Sequence, residues 1–403
     1  MKSVRLCGII QPESGIVFRH AERMKNMTKR VMPLLLALCL LLCACTGAPE
    51  PTTVPTTEPT AAPTTEPTTP PTTQPPTEPP TEPPTEPPTE PPTEPPTEPP
   101  VIHRNPLTGE VLDAPYVGRL FAVTINNVPA ALPHHGVSQA DVFFEMFIND
   151  YCTRGLAVFS NIAEVESIGS IRSTRYNFTD LAMAYDLVLI HANASQAVLN
   201  DMYNEGVDNM TADGTFGYRD SDRYNYQDYA WEHTLFTTGQ DALDAAVEDE
   251  IDIAREGLDF GMVFAEDGTP AGGETAGQID IVFSLYGQNK TTQMKYDTEL
   301  GKYVYWQYGD EMIDENNDQK EAFENVIVIL APTENDGVYH VADLYGSGDG
   351  YFACNGQIVP IQWTHENEED PFSFTLTDGT PLTLGVGSSY IAIAPTTSEI
   401  TYE

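Results

Sequence analysis

From residue 105 onward the chain alternates short apolar runs with polar breaks, and the periodicity of the runs changes along it. Residues 119–126 are mostly apolar and rich in β-branched side chains, which predicts a buried strand. Residues 127–136 break regular structure with two prolines and a glycine. Residues 141–148 and 154–160 read as two further strands, joined by a turn at Asn149-Asp150. In residues 176–185, Phe178, Leu181, Ala182 and Tyr185 recur at helical spacing. Residues 186–191 form a strand, and residues 194–205 a second helix that turns Val198, Leu199 and Met202 to the core and ends at Gly206. Residues 209–231 are polar and rich in glycine and tyrosine, and predict a long surface loop. Thr238 is placed to cap a helix running to about Arg255.

Beyond the glycine-rich stretch 267–274 the period falls to two. Strands are predicted at 279–285, 293–296, 303–308, 326–330, 338–342, 358–363, 372–376 and 390–393. Asp378-Gly379 marks a hairpin between the strand at 372–376 and residues 381–384. The fold class is therefore α+β: a mixed α/β first domain over 105–265, then a mostly-β second domain over 275–403.

The first hundred residues follow other rules. Lys25, Lys29 and Arg30 precede an apolar run at 31–42 that is too short to span a bilayer. Leu42-Cys43-Ala44-Cys45 then resembles a bacterial lipobox, although Cys43 stands where a small residue is usual. Residues 1–44 are thus expected to be a signal peptide, with Met24 or Met27 as the working start, and Cys45 to be lipidated. Residues 45–104 are a disordered linker dominated by Pro, Thr and Glu, and six copies of Thr-Glu-Pro-Pro fill residues 77–100. Such a segment has no core to form. As polyproline II, residues 49–100 reach about 160 Å at ~3.1 Å per residue, enough to carry the folded part away from a membrane. The expected location is secreted and lipid-anchored on the outer face of the bacterial cytoplasmic membrane.

Charge narrows the partners. The chain has 19 basic and 60 acidic residues, a formal net charge of −41. After removal of residues 1–44 there remain 12 basic and 58 acidic side chains, a net of −46. A phosphate backbone is repelled by such a surface, which argues against nucleic acid. Of six cysteines only Cys152 and Cys354 lie beyond the N-terminal segment, and one pair is not a disulfide framework. They are expected to be free thiols.

Against this background, five of the eight mature-chain arginines crowd into one 70-residue window: Arg154, Arg172, Arg175, Arg219 and Arg223. Arginine presents a planar fork suited to carboxylate or phosphate. Arg172 and Arg175 stand before the helix at 176, where Ser173 or Thr174 can cap and the helix end favours an anion. These residues, with His191 and His233, make a candidate anion site. The competing reading pairs the arginines with Asp141, Glu145, Asp180, Asp220 or Asp222, purely to hold loops down. No catalytic set, cofactor motif or metal site is assigned. His134-His135 lacks a third ligand, and residues 314–319 lack the glycine and glutamate of a calcium loop. Tyr303, Tyr305, Trp306 and Tyr308 read as strand packing rather than a sugar platform.

Asn105-Pro-Leu-Thr-Gly109, Ala122-Val-Thr-Ile-Asn-Asn127, Ser138-Gln-Ala-Asp141 with Glu145, Thr153-Arg154, residues 168–175 and His191 together resemble the YerB-like lipoprotein family, over most of residues 105–395. The resemblance implies a two-domain α+β architecture and supplies no activity. It places a histidine motif at residues 230–234. The chain departs from the family near residues 314–319, where a histidine–aspartate pair is expected. Three functions follow: a surface module binding an anionic small molecule, cell-wall component or acidic partner segment; an enzyme acting on an anionic envelope substrate, with His191 or His233 as base; or an envelope assembly protein contacting its partner through the β domain.

Overall fold

The structure, a computed structural model, describes residues 102–149 and 151–403. The expected signal peptide and lipidation site at Cys45, the expected Pro/Thr/Glu stalk and Asp150 lie outside the described residues.

The apolar runs of the first region become strands β1 (Phe121–Asn127), β2 (Val142–Asn149) and β3 (Cys152–Phe159). They are mostly apolar because both of their faces are covered. Phe121, Val123, Ile125, Phe143 and Phe147 face one core; Ala122, Val142, Phe144, Met146, Leu156 and Val158 face the other. Helix α1 (Tyr176–Ala184), β4 (Val188–His191), α2 (Gln196–Glu205) and β5 (Asn209–Thr211) follow. Gly206 closes α2 in the left-handed region at φ 70°, where a Cβ is disfavoured.

Residues 209–231 are more ordered than their polarity suggests. Besides β5 they hold a strand at Tyr218–Arg219 and helix α3 (Ser221–Tyr226), capped by the Asp220 carboxylate. Helix α4 (Gly239–Glu248) ends seven residues before the predicted limit at Arg255. Its N-cap is Thr238, whose hydroxyl accepts from the Asp241 amide at 3.0 Å. Thr238→Ala should cost about 1 kcal/mol in urea unfolding with no change in m-value; a loss under ~0.3 kcal/mol would leave this cap without weight.

No helix follows α4 among the described residues. Strands β6 (Gln278–Leu285), β7 (Gln288–Asp297) and β8 (Lys302–Gln307) pair in sequence, and β13 (Glu399–Tyr402) adds to β6. Their inward residues Ile279, Ile281, Phe283, Met294, Tyr303 and Tyr305 pack on the Phe143 side of the main sheet. Tyr303 and Tyr305 are fully buried, so they serve packing, as their strand position implies.

Strands β9 (Asn325–Ala331), β10 (Gly346–Cys354), β11 (Gln357–His365) and β12 (Ser389–Pro395) join the main sheet itself. Its order across the middle is β11-β10-β9-β12-β2-β3-β1-β4-β5. β12 lies between β9 and β2, parallel to both. The helical first region and the β-rich second region therefore share one sheet. Cys354 is a buried free thiol, so no disulfide joins it to Cys152.

Candidate anion-binding site

Arg154 lies near the start of β3, with Asn126 as its cross-strand partner on β1. Alternation sends Thr153 toward one core and Arg154 toward the opposite face. The chain then returns as an extended strap over residues 170–175. The Asn126 amide donates to the Ser170 carbonyl (2.9 Å) and the Arg172 amide to the Thr124 carbonyl (3.0 Å). On the other side, the Ala192 amide donates to the Arg172 carbonyl (3.0 Å) and the Thr174 amide to the Asn193 carbonyl (2.9 Å). The strap thus crosses the carboxyl ends of parallel strands β1 and β4, and delivers its arginines to the start of α1.

Three guanidinium groups gather there. Arg154 is buried and donates from Nη1 to the Ser173 carbonyl at 2.6 Å. Arg175 donates from Nη1 to its neighbour's carbonyl, that of Thr174, at 2.6 Å, and lies 3.9 Å over the Tyr339 ring. Arg172 reaches the Glu232 carboxylate and carbonyl, each at 3.4 Å. The Nε atoms of all three arginines are buried with no hydrogen-bond partner, as are the hydroxyls of Ser170 and Thr174. Among the described residues neither Arg154 nor Arg175 forms an ion pair, in a chain where acids outnumber bases threefold.

The electrostatics agree with the geometry. Burial, then the charges of Arg175 and Arg172, push the Arg154 guanidinium down to about 9. Burial lowers Arg175 as well, with Arg172 adding to the effect and Tyr339, which also hydrogen-bonds it, and the Asp336 carboxylate opposing it. A group lowered from 12.5 to about 9 carries an uncompensated cost on the order of 5 kcal/mol in its charged form. An anion placed among the three would relieve it.

The sequence expectation that Ser173 or Thr174 caps α1 is not met. Arg175 is the N-cap residue, and no side chain bonds there. Its side chain carries only donors, so the helix end keeps its positive character. Asn177 in the first turn grips Ala342 through both amide atoms, at 2.7 and 3.0 Å, which brings Tyr339 of the second region against Arg175. Tyr339 and Asn126 are site residues that sequence reasoning missed. Asn126 sits inside a quoted family motif, whereas Tyr339 gives no local signal.

His233 joins this group. Asn126 Nδ2 is 2.8 Å from its Nδ1, and burial with the nearby Arg172 charge holds its pKa below the usual value, so the ring is neutral at pH 7. With the amide as donor, the ring proton sits on Nε2. His191 ends β4, buried, with Nε2 3.2 Å from Asn209 Oδ1, and burial lowers its pKa too. Among the described residues it forms no hydrogen bond or ion pair with the three guanidinium groups.

Arg219 and Arg223 are held elsewhere. Arg219 is forked onto Asp213 (3.3 and 2.5 Å) and donates to the Trp231 carbonyl at 2.7 Å. Arg223 is buried between the Tyr229 and Phe236 rings, ion-paired to Glu315 and bonded to the Pro133 carbonyl (3.0 Å). Neither of the acids offered as partners to the cluster on β2 and before it approaches the trio. Glu145 pairs with Lys290, and Asp141 accepts from the Ser160 amide (2.6 Å). Asp314, in the stretch weighed for calcium, is buried and accepts from the Ser138 amide and hydroxyl at 2.9 and 2.8 Å.

Residues 107–252 match the N-terminal domain, and residues 280–391 the C-terminal domain, of a family described as a protein of unknown function, DUF3048. The chain is 25% identical over 310 residues to YerB of Bacillus subtilis (strain 168), named a lipoprotein by inference, covering 72% of this chain and 88% of YerB. The crystal structure of Bacillus subtilis YerB has the same fold: the TM-score is 0.63 at 22% identity, over 74% of this chain and 99% of that one.

Proposed function

The chain belongs to the DUF3048 family of proteins of unknown function, and we propose that it is a surface lipoprotein whose folded part binds an anion at Arg154, Arg172 and Arg175. The observation that supports this reading is the gathering of three guanidinium groups around unpartnered buried donors, with no ion pair on Arg154 or Arg175 among the described residues. Arg154, Arg172, Arg175 and the Thr174 hydroxyl hold the anionic group, and the uncapped start of α1 adds its positive end. The neutral His233 offers a ring N–H beside Arg172. Arg219, Arg223 and His191 support the surrounding loops. The lipid on Cys45 ties the chain to the outer face of the membrane, and the stalk holds the site away from it. Similarity to a protein named a lipoprotein supports the anchor.

Thermal shift of the full chain against phosphate, citrate and other phosphorylated or carboxylated compounds tests the site. A ligand at a hundred times its Kd stabilises by about 2.7 kcal/mol, a rise of about 4 °C for a folded part of this size. Arg172→Ala should cut that rise by half or more, because a charge-assisted hydrogen bond is worth about 1.5–3 kcal/mol. An equal rise in the variant would remove the arginine site from the account.

A further inference from the structure

Beside the arginines lies a group of exposed aromatic rings. Tyr218, Tyr224, Tyr226 and Trp231 all belong to the polar segment 209–231, and 43%, 48%, 82% and 54% of their respective surfaces are open. Single exposed aromatics are ordinary. These are organised: Tyr224 and Trp231 meet edge to face with centroids 5.4 Å apart, and Tyr218 stacks on buried Phe236 at 6.1 Å. The Arg219 guanidinium, held by Asp213, covers part of Trp231 at 4.8 Å. The group is also continuous with the anion site, because Arg172 bonds both the carbonyl and the carboxylate of Glu232, the residue after Trp231.

The surroundings choose among occupants. A dry protein contact wants its core free of charge, but carboxylates of Asp213, Asp220 and Glu232 border these rings. Stacked nucleotides would bring a run of phosphates onto the same carboxylates. A pyranose suits both features. Its C–H face meets the negative face of an aromatic ring, and its hydroxyls donate to carboxylates. We infer that the Tyr218–Trp231 face is the sugar-stacking half of a composite site. Its ligand is an oligosaccharide bearing a carboxylate or phosphate, with a ring over Trp231 and Tyr224 and the anion on Arg154, Arg172 and Arg175. This inference rests on the anion-site reading and extends it.

The chain has three tryptophans. Trp363 is fully buried and Trp306 lies under the Lys295 ammonium at 3.7 Å, so Trp231 is the exposed reporter. The full chain is titrated with trigalacturonate, glucose 6-phosphate, maltotriose and inorganic phosphate, reading tryptophan fluorescence and, for Trp231→Ala, calorimetry. One of the two acidic sugars is expected to change the fluorescence and to bind about tenfold or more tighter than either maltotriose or phosphate; which one does so identifies the anion. Trp231→Ala should weaken that sugar about tenfold and leave phosphate within about twofold. Arg172→Ala should weaken both. If phosphate binds through Arg172 but neither acidic sugar binds tighter, or Trp231→Ala changes nothing, the sugar half is overturned, the anion site stands, and the rings belong to a protein partner. If phosphate and both acidic sugars all fail to bind, both readings fall.

Discussion

Replacing Arg154 by methionine should make the ligand-free protein more stable, by about 1–4 kcal/mol, while abolishing stabilisation by any anion. The side chain is buried, has one hydrogen bond to a backbone carbonyl, and faces two other arginines instead of a carboxylate. Methionine fills a similar volume with flexible apolar atoms, leaving the Ser173 carbonyl to lose one donor at a cost of about 1–3 kcal/mol. The relieved charge, on the order of 5 kcal/mol, outweighs that loss. Urea unfolding of both proteins, with and without phosphate, reads the two effects together. A variant destabilised by more than about 2 kcal/mol would mean that Arg154 holds the fold together, and would sink the claim that it waits for a ligand.

The opposite outcome is expected at another buried cation. Lys290 on β7 is ion-paired to Glu145 on β2, with both side chains inaccessible to solvent. Burial alone would raise the Glu145 carboxyl. The Lys290 charge, with hydrogen bonds from Lys290, Thr153 and Tyr390, outweighs it and holds the carboxyl below its usual range. Asn127 (3.0 Å), Thr292 (2.9 Å) and Tyr390 (2.5 Å) all donate to it. Lys290→Met leaves that carboxylate buried without its counter-charge, and should cost about 3–5 kcal/mol. Adding Glu145→Gln should recover part of the loss. Because the network joins strands of both family regions, wild type and variant should each unfold in one transition by fluorescence and circular dichroism alike. A loss under about 1 kcal/mol, or separate transitions for the two regions, would contradict this account.

How much of this was legible in the sequence depended on whether the deciding contact was local. Strands β1 to β3 were readable because burial on both faces leaves apolar runs, and Thr238 and Gly206 because caps have local chemistry. β10 was not. Gly346, Gly348 and Gly350 disguise it, yet a Cβ on Gly350 would stand 2.3 Å from the Val328 carbonyl, so the strand needs the glycine that hides it. The insertion of β12 beside β2 joins residues far apart in the chain and has no local signature. The same limit applies to the arginines. Arg154, Arg172 and Arg175 were singled out together with Arg219 and Arg223, and what separates them is the position of Asp213 and Glu315, which only the fold reveals. Tyr339 reaches the site from the second region, through the grip of Asn177 on Ala342.

The place of β12 also sets an order of events. Until residues 389–395 emerge, β2 has one bare edge with unpaired amides and carbonyls, flanked by Phe143, Phe144 and Phe147. A chain synthesised from its N-terminus presents that edge before it can be covered, and an open apolar edge is a template for aggregation. Completion of the half that carries Arg154, Arg172 and Arg175 therefore waits on residues 389–395. A product cut short before Ser389 would carry every arginine of the site and lack the strand that seals the sheet beneath it.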